Sequence, residues 1–172
     1  LARGADEAVR VASDGLGEAD SLGVAQALAG AVKALPCDVL WLGNKGVGTD
    51  AQVMVPMLAE LLDLPHANLV TKLEWKDGGI VAYREIEGAR EVVEMPLPCV
   101  VGAQKGLNEP RYPSLPGIMK AKRKPLEVVA PAGADAMTEI AEMLMPPERK
   151  AGQVFQGEAE ESLEKQARLE SA

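Results

Sequence analysis

The chain has 172 residues, of which 47% are hydrophobic but only 3% aromatic, so a core must be built mainly from aliphatic side chains and Met. The formal net charge of −8 argues against a general nucleic-acid-binding protein. The sequence contains no run of about 18 apolar residues and no signal-peptide pattern, which argues against insertion into a membrane.

The first third of the chain alternates between predicted strands and helices. A short strand is expected over 7–12 and a helix over 20–35, which begins at a capping residue and ends before a proline. The apolar run 38–42 predicts a strand buried on both faces. The glycine-rich loop Gly43–Asp50 and a second helix with Pro56 near its start follow. This order indicates a parallel α/β sheet.

The pattern changes after Pro65, where helical spacing gives way to short strand-like segments. Three strands are predicted over 68–75, 80–87 and 90–95. Glycine-containing turns join them, and an Asp-Gly-Gly turn is typical of a hairpin. We therefore expect an antiparallel meander over 66–96, added to the parallel sheet.

The last part of the chain is predicted to contain two more strands and two helices. The strands are expected over 98–103 and 126–129, and the helices over 135–145 and 158–170. Between the helices, 145–156 has the composition of an extended polar segment.

These elements divide the chain into a domain and an arm. An α/β nucleotide-binding-like domain is expected over 1–130, and it includes the meander 66–96 and a loop at 106–125. Residues 131–172 form an arm that ends in a helix. Since the arm has no core of its own, we expect it to pack on another chain.

The loop Gly43–Asp50 is a candidate anion site. A glycine-rich turn between a buried strand and a helix exposes backbone N–H groups. It also lies at the carboxyl end of a strand, where open α/β sheets bind ligands. The spacing matches neither a dinucleotide-binding nor a P-loop pattern, so a plain connecting loop is the alternative.

Residues 105–124 form a candidate docking surface, because apolar side chains stand among basic ones on a proline-stiffened loop. They carry six basic side chains against one acidic, a net charge of +5, whereas 131–172 carry nine acidic against four basic, a net charge of −5. The alternatives are two ordinary solvated surfaces and a crossover loop that folds Leu115 inward. A short helix is expected near Ile118–Lys122.

The chain contains no recognisable catalytic set. His66 is the only histidine, and no nucleophile or carboxylate cluster lies beside it in the sequence. Cys37 and Cys99 lack metal-ligand or CxxC spacing and are predicted to be reduced core residues. We therefore expect a binding or carrier subunit rather than an enzyme.

Four segments of the chain resemble electron transfer flavoprotein β-subunits. GLNEPRYPSLPGIMKAKRKP (106–125) is similar to the family's recognition loop, and VAYREIEGAREVVEMPLPCVV (81–101) resembles its signature region. LARGADEAVRV (1–11) and PPERKAGQVF (146–155) are similar to a helix end with its next strand and to the C-terminal arm. The resemblance also implies a further N-terminal segment that this sequence does not contain.

The resemblance implies an adenine-nucleotide-binding, HUP/Rossmann-like fold and a heterodimer with an α-subunit. That subunit would hold most of the redox FAD, while this chain would bury a structural AMP. The pair would carry electrons from acyl-CoA or related dehydrogenases of fatty acid β-oxidation to a quinone oxidoreductase. The implied location is the cytoplasm in bacteria and the mitochondrial matrix in eukaryotes, without membrane insertion or nucleic-acid binding.

The resemblance also implies two sets of site residues. Leu115 matches the leucine that inserts into a pocket on the dehydrogenase, and its partner-binding neighbours are Tyr112, Pro113, Ser114, Pro116, Ile118, Met119, Lys120 and Lys122. The AMP loop comprises Gly43, Asn44, Lys45, Gly46, Val47, Gly48, Thr49, Asp50, Ala51 and Gln52. This loop departs from the family pattern, since Lys-Gly replaces Gln-Ala and only one aspartate is present.

The sequence is also compatible with two other functions. Some members of the family bind a second FAD in place of AMP and bifurcate electrons, and the altered loop is compatible with that. The other candidate is a stand-alone adenine-nucleotide-binding stress-type protein, which would need no α-subunit but leaves 106–125 unexplained.

Overall fold

The computed structural model describes residues 1–14, 16, 19–48, 50–133 and 136–148. Three helices and seven strands occur in this part of the chain. In chain order they are β1 (Ala8–Val11), α1 (Ser21–Lys33), β2 (Val39–Gly43), α2 (Met54–Leu62), β3 (His66–Lys76), β4 (Gly79–Ile86), β5 (Ala89–Pro96), β6 (Cys99–Ala103), α3 (Leu115–Ala121) and β7 (Leu126–Val129).

The main sheet has five strands in the order β2-β6-β3-β4-β5. Strand β6 runs parallel to both β2 and β3, whereas β3, β4 and β5 form consecutive antiparallel pairs over 66–96. β3 belongs to both arrangements: His66 pairs with β6, and Leu73 pairs with β4. The α/β fold class with a parallel sheet is therefore confirmed.

The change of pairing within β3 requires an irregular backbone. The register against β6 shifts between Ala67 and Val70, and Leu69 has a left-handed φ of 61°. Asn68 stabilises this conformation, because its Oδ1 accepts a hydrogen bond of 2.8 Å from the Leu69 N–H. A β-bulge of this kind bends the strand and changes the direction of its later residues.

In the described residues a second sheet consists of β1 and β7, which are parallel and pair from Ala8 with Leu126 to Val11 with Val129. The segment after β7 runs along α1, where Gly30 faces Ala132. A Cβ on Gly30 would lie 3.4 Å from the Ala132 Cβ.

The core lies on both faces of the parallel strands. On one face, α1 and α2 pack through small and branched residues: Ala25, Ala29, Val55, Leu58 and Ala59. On the other, a buried cluster joins the meander to β6, and it includes Val70, Ile80, Ala82 and Met95 of the meander and Val101 of β6. Alanines on α1 allow the two helices to approach closely, which offsets the lack of large aromatic side chains.

The prediction that 38–42 are buried on both faces is wrong. Among the described strands, β2 lies at the edge of the main sheet, and Trp41 is 44% exposed. Cys99 is buried as predicted, and burial raises the pKa of its thiol. Cys37 is exposed instead, because it lies in the turn between Pro36 and β2 rather than in a strand.

The helix predicted over 135–145 is also wrong for the residues that the structure describes, since 136–148 contain no helix. Large apolar side chains of this segment are 75–91% exposed: Met137, Ile140, Met143, Leu144 and Met145. An apolar stripe stabilises a short helix only when it packs against a partner surface. The expected helix over 158–170 lies outside the described residues, as does most of the expected extended segment.

Candidate functional site

A surface cavity of about 310 Å³ lies where the sequence predicts an anion site. It is at the carboxyl end of β2, next to the first residues of α1 and α2. Nine residues line it: Ser21, Gly43, Asn44, Lys45, Gly46, Ala51, Gln52, Val53 and Met54. The N-terminus of α2 has no side-chain cap and carries partial positive charge, which favours an anionic ligand.

The loop that borders this cavity has an unusual backbone. Gly48 has a φ of 110°, and the non-glycine residues Asp50 and Gln52 have left-handed φ values of 51° and 54°. The Asp50 N–H donates to the Gly46 carbonyl at 3.1 Å, which closes a tight turn. Turns with left-handed residues direct backbone N–H groups into a concave surface that suits anions.

Lys45 forms an ion pair across the same turn. Its Nζ lies 2.7 Å from Asp50 Oδ2, and the two side chains are 46% and 58% exposed. An exposed pair of this kind contributes about 0–1 kcal/mol to stability. The pair is therefore weak enough to open if a phosphate competes for the lysine.

The structure places most, but not all, of the predicted loop residues at the cavity. Gly43, Asn44, Lys45, Gly46, Ala51 and Gln52 line it, whereas Val47, Gly48 and Asp50 do not, and Thr49 lies outside the described residues. Sequence reasoning missed Ser21, Val53 and Met54. The capping signal at Asp20 marks where α1 begins, but only the topology shows that this helix end adjoins the loop.

The second candidate site is built around α3. Ser114 is its N-cap: the hydroxyl accepts a hydrogen bond of 3.1 Å from the Gly117 N–H. Pro116 stands in the first turn, where a missing N–H is tolerated. The helix therefore begins at Leu115, earlier than the predicted start near Ile118.

The apolar side chains of this site face outward. Leu115 is 73% exposed, Tyr112 94%, Ile118 41% and Met119 56%. The alternative in which Leu115 folds inward is therefore wrong. Beside them, a groove of about 470 Å³ is lined by Pro116, Met119, Lys120, Lys122 and Arg123. An apolar surface with a cationic rim suits a partner that offers an apolar pocket with acidic surroundings.

Asp20 joins the cavity wall to the segment after β7. Its Oδ1 accepts a hydrogen bond of 2.8 Å from the Gly23 N–H, which caps α1. Its Oδ2 accepts hydrogen bonds from the N–H groups of Met137 and Thr138 and from the Thr138 hydroxyl, each at 3.0 Å. The Gly23 hydrogen bond is the main reason that the pKa of Asp20 lies below its ordinary value. The neighbouring Ser21 lines the cavity.

Other kinds of site are not seen in the described part of the chain. No three His, Cys, Asp or Glu side chains there come together as metal ligands. None of the helices described is long and apolar enough to cross a membrane.

Comparison with known proteins decides the family. A sequence model of the electron transfer flavoprotein domain matches residues 1–134. The chain belongs to the electron transfer flavoprotein family. The match includes both the cavity loop and α3 of this family member.

Three relatives illustrate the likeness, and each is named electron transfer flavoprotein subunit beta. The protein of Bacillus subtilis is 42% identical over 94% of this chain, that of Syntrophomonas wolfei 38% over 93%, and that of Mus musculus 38% over 88%. The alignments cover 66%, 63% and 62% of the relatives, so this chain spans somewhat less than two thirds of their length.

Proposed function

We propose that the chain acts as the β-subunit of a heterodimeric electron transfer flavoprotein, and that it is an electron carrier subunit rather than an enzyme. The main support is Leu115, which is 73% exposed at the first position of a capped helix. It stands within 106–125, the segment that resembles the family's recognition loop. Such a side chain is available to enter a pocket on an electron donor.

The docking site comprises Leu115 and the partner-binding residues around it. Burial of one leucine contributes about 1.5–3 kcal/mol, which suits a transient complex that must dissociate after electron transfer. Lys120 and Lys122 are exposed and would steer encounter through their charge. The donors are acyl-CoA or related dehydrogenases of fatty acid β-oxidation, and the acceptor is a quinone oxidoreductase.

The cavity beside Gly43–Gln52 is proposed to hold AMP. Its volume of about 310 Å³ is at the lower end of the range of small-molecule sites, about 300–1,000 Å³. The N-terminus of α2 and the turn N–H groups would receive the phosphate, and Lys45 would leave Asp50 to pair with it. This AMP is structural; the FAD, held mainly by the α-subunit, supplies the redox chemistry.

The arm over 131–172 is proposed to pack on the α-subunit. Four large apolar side chains between Ile140 and Met145 are 75–91% exposed within the described part of the arm. Contact with another chain would remove this apolar surface from water. The complex would work in the bacterial cytoplasm, or in the mitochondrial matrix of a eukaryote.

Co-expression with the α-subunit of the same organism tests this function. We expect a 1:1 heterodimer on size exclusion, a flavin absorbance spectrum, and AMP in the acid extract. A chain that remains alone or forms a homodimer would contradict the β-subunit role. FAD at two per heterodimer would assign the cavity to a bifurcating flavin, and an extract without any adenine nucleotide would contradict nucleotide binding.

A pair of variants tests the cavity itself. A Cβ on Gly43 would meet no atom within 4 Å, so Gly43→Leu should fill the cavity without disturbing the protein around it. We expect the AMP content of the purified heterodimer to fall by about tenfold or more. Val47→Leu is the control, because Val47 is fully exposed and does not line the cavity. An equal AMP content in both variants would show that the nucleotide does not bind in this cavity.

A further inference from the structure

The side of α3 that faces the protein lies on the turn formed by residues 1–6. Gly117, in the first turn of the helix, passes so close to this turn that an added Cβ would lie 2.6 Å from the Ala2 carbonyl oxygen. Carbon and oxygen atoms do not approach this closely without a shift of the backbone. Glycine at this position therefore allows the helix to rest directly on the turn.

Lys124 makes the second contact with the same turn. Its Nζ donates a hydrogen bond to the Ala5 carbonyl, 119 residues away in the sequence, and lies 3.8 Å from Asp6 Oδ1. The Lys124 side chain is 25% exposed, whereas Lys120 and Lys122 are both exposed. The ammonium group of Lys124 is thus directed toward the protein and not toward an approaching partner.

These two contacts lie near the two ends of α3. Gly117 is in the first turn of α3, and Lys124 follows its last residue, Ala121, by three positions. The helix has seven residues and none of them is buried, so neither its length nor core packing fixes its orientation. Contacts at both ends can fix its position and its rotation.

We propose that Gly117 and Lys124 are positioning residues, which hold α3 on the turn 1–6 so that Leu115 is presented in one orientation. This inference rests on the proposed docking function. A side chain that is already oriented loses less conformational freedom on binding, so the donor complex forms more readily. Lys124 therefore helps to support the docking site, although the sequence groups it with the other basic side chains of 105–124.

Removal of the Lys124 ammonium group distinguishes a positioning role for α3 from electrostatic steering of the donor. In the heterodimer, Lys124→Met should lower kcat/KM for reduction by butyryl-CoA and its dehydrogenase by about two- to tenfold, the value of one hydrogen bond. The loss should persist as NaCl is raised. Lys122→Met removes the same charge from an exposed position, and its effect should fade with salt because screening removes steering. A loss for Lys124→Met that also fades with salt would overturn the proposal.

A double-variant cycle with Leu115→Ala decides whether Lys124 acts through Leu115. If it does, Lys124→Met should cause no further loss in the Leu115→Ala background, and Lys124→Arg, which keeps a donor, should restore most of the rate. An additive loss would overturn the positioning role. If Leu115→Ala alone leaves the rate unchanged, the docking function itself fails. If only Lys124→Met is without effect, the docking function stands and the positioning role fails.

Discussion

Gly102, the fourth residue of β6, lies where β3 changes its pairing. A Cβ at this position would be 2.2 Å from Asn68 Oδ1 and 2.9 Å from Val55 Cγ2. The Asn68 side-chain oxygen Oδ1 cannot withdraw freely, since it accepts the hydrogen bond from the Leu69 N–H that holds the bulge. The absence of a side chain at Gly102 therefore allows the bulge and α2 to pack on β6.

We expect Gly102→Ala to lower the free energy of unfolding by about 1–3 kcal/mol, the usual cost of overpacking. Urea unfolding followed by circular dichroism measures the change. Gly43→Ala is the matched control, because Gly43 lies in the neighbouring parallel strand, opposite Ala103, but an added Cβ there meets nothing within 4 Å. If the two variants unfold at the same urea concentration, the close packing around Gly102 does not limit stability.

For single residues, the sequence predicts the chemical character of a side chain better than it predicts the side chain's contacts. The resemblance correctly points to Leu115 as an outward-facing apolar residue, because the motif around it is specific. Lys122 and Lys124 have the same side chain and nearly the same sequence context, yet only Lys124 reaches the Ala5 carbonyl. That contact depends on a chain segment 119 residues away, which local sequence cannot reveal.

Helix α1 shows how one side chain can serve two elements. Asp20 caps the helix through one carboxylate oxygen and holds the segment at Met137 and Thr138 through the other. A carboxylate can accept all four hydrogen bonds, whereas an amide has only one acceptor oxygen. The negative charge at Asp20 is also stabilised by the N-terminal end of the helix dipole.

Asp20→Asn should separate these two roles. The amide oxygen can still cap α1 at Gly23, but the amino group cannot accept from the Met137 and Thr138 N–H groups. We expect faster amide hydrogen exchange at Met137 and Thr138 and little change at Gly23, measured by NMR. Asp14→Asn, at an exposed position, is the control. Unchanged exchange at Met137 and Thr138 would show that Asp20 does not hold this segment.

The same carboxylate predicts a defined pH dependence. Hydrogen bonds to the charged form lower the pKa of Asp20 below its ordinary value of 3.8, so its contribution to stability is present above that value. It is lost as the pH falls through the lower folded pKa. The Tm difference between the wild type and Asp20→Asn should therefore be constant from about pH 5 to 8 and shrink below about pH 4. If the Tm difference already shrinks at neutral pH, the pH dependence arises from a group other than Asp20.

Elements with strong local signals could be predicted, and elements that depend on neighbours could not. The cap and alanine spacing of α1 and the glycine turns of the meander determine those segments locally. For 38–42, burial depends on which strands lie beside β2, and an apolar run alone does not show that β2 is an edge. The predicted helix over 135–145 fails because an apolar stripe stabilises a short helix only against a partner surface, which the spacing of residues does not reveal.

Both candidate sites lie in the compact unit formed by Leu1–Ile140. The cavity loop is at the carboxyl end of β2, and α3 rests on the turn before β1. Sequence order predicts the parallel α/β class, since strands and helices alternate. It does not predict that β1 and β7 form a sheet separate from β2, β6 and β3, because strand neighbours are set by tertiary contacts.

The proposed function makes the molecule a scaffold for one docking side chain. In this proposal, Leu115 would provide the apolar contact, Lys120 and Lys122 would provide charge, and the turn 1–6 would provide support. A single leucine gives an interaction of about 1.5–3 kcal/mol, enough to select a partner without retaining it. The proposed function therefore requires that docking of the electron donor depends on Leu115.

Stopped-flow kinetics test whether donor docking depends on Leu115. The heterodimer is reduced by an acyl-CoA dehydrogenase, and wild type and Leu115→Ala are compared at several donor concentrations. We expect the second-order rate constant to fall by about 10- to 100-fold, while the Tm and heterodimer formation are unchanged because the side chain is largely exposed. Val92→Ala, which truncates an exposed residue of β5, should reduce at the wild-type rate. Equal rate constants for wild type and Leu115→Ala would show that the donor does not dock through Leu115.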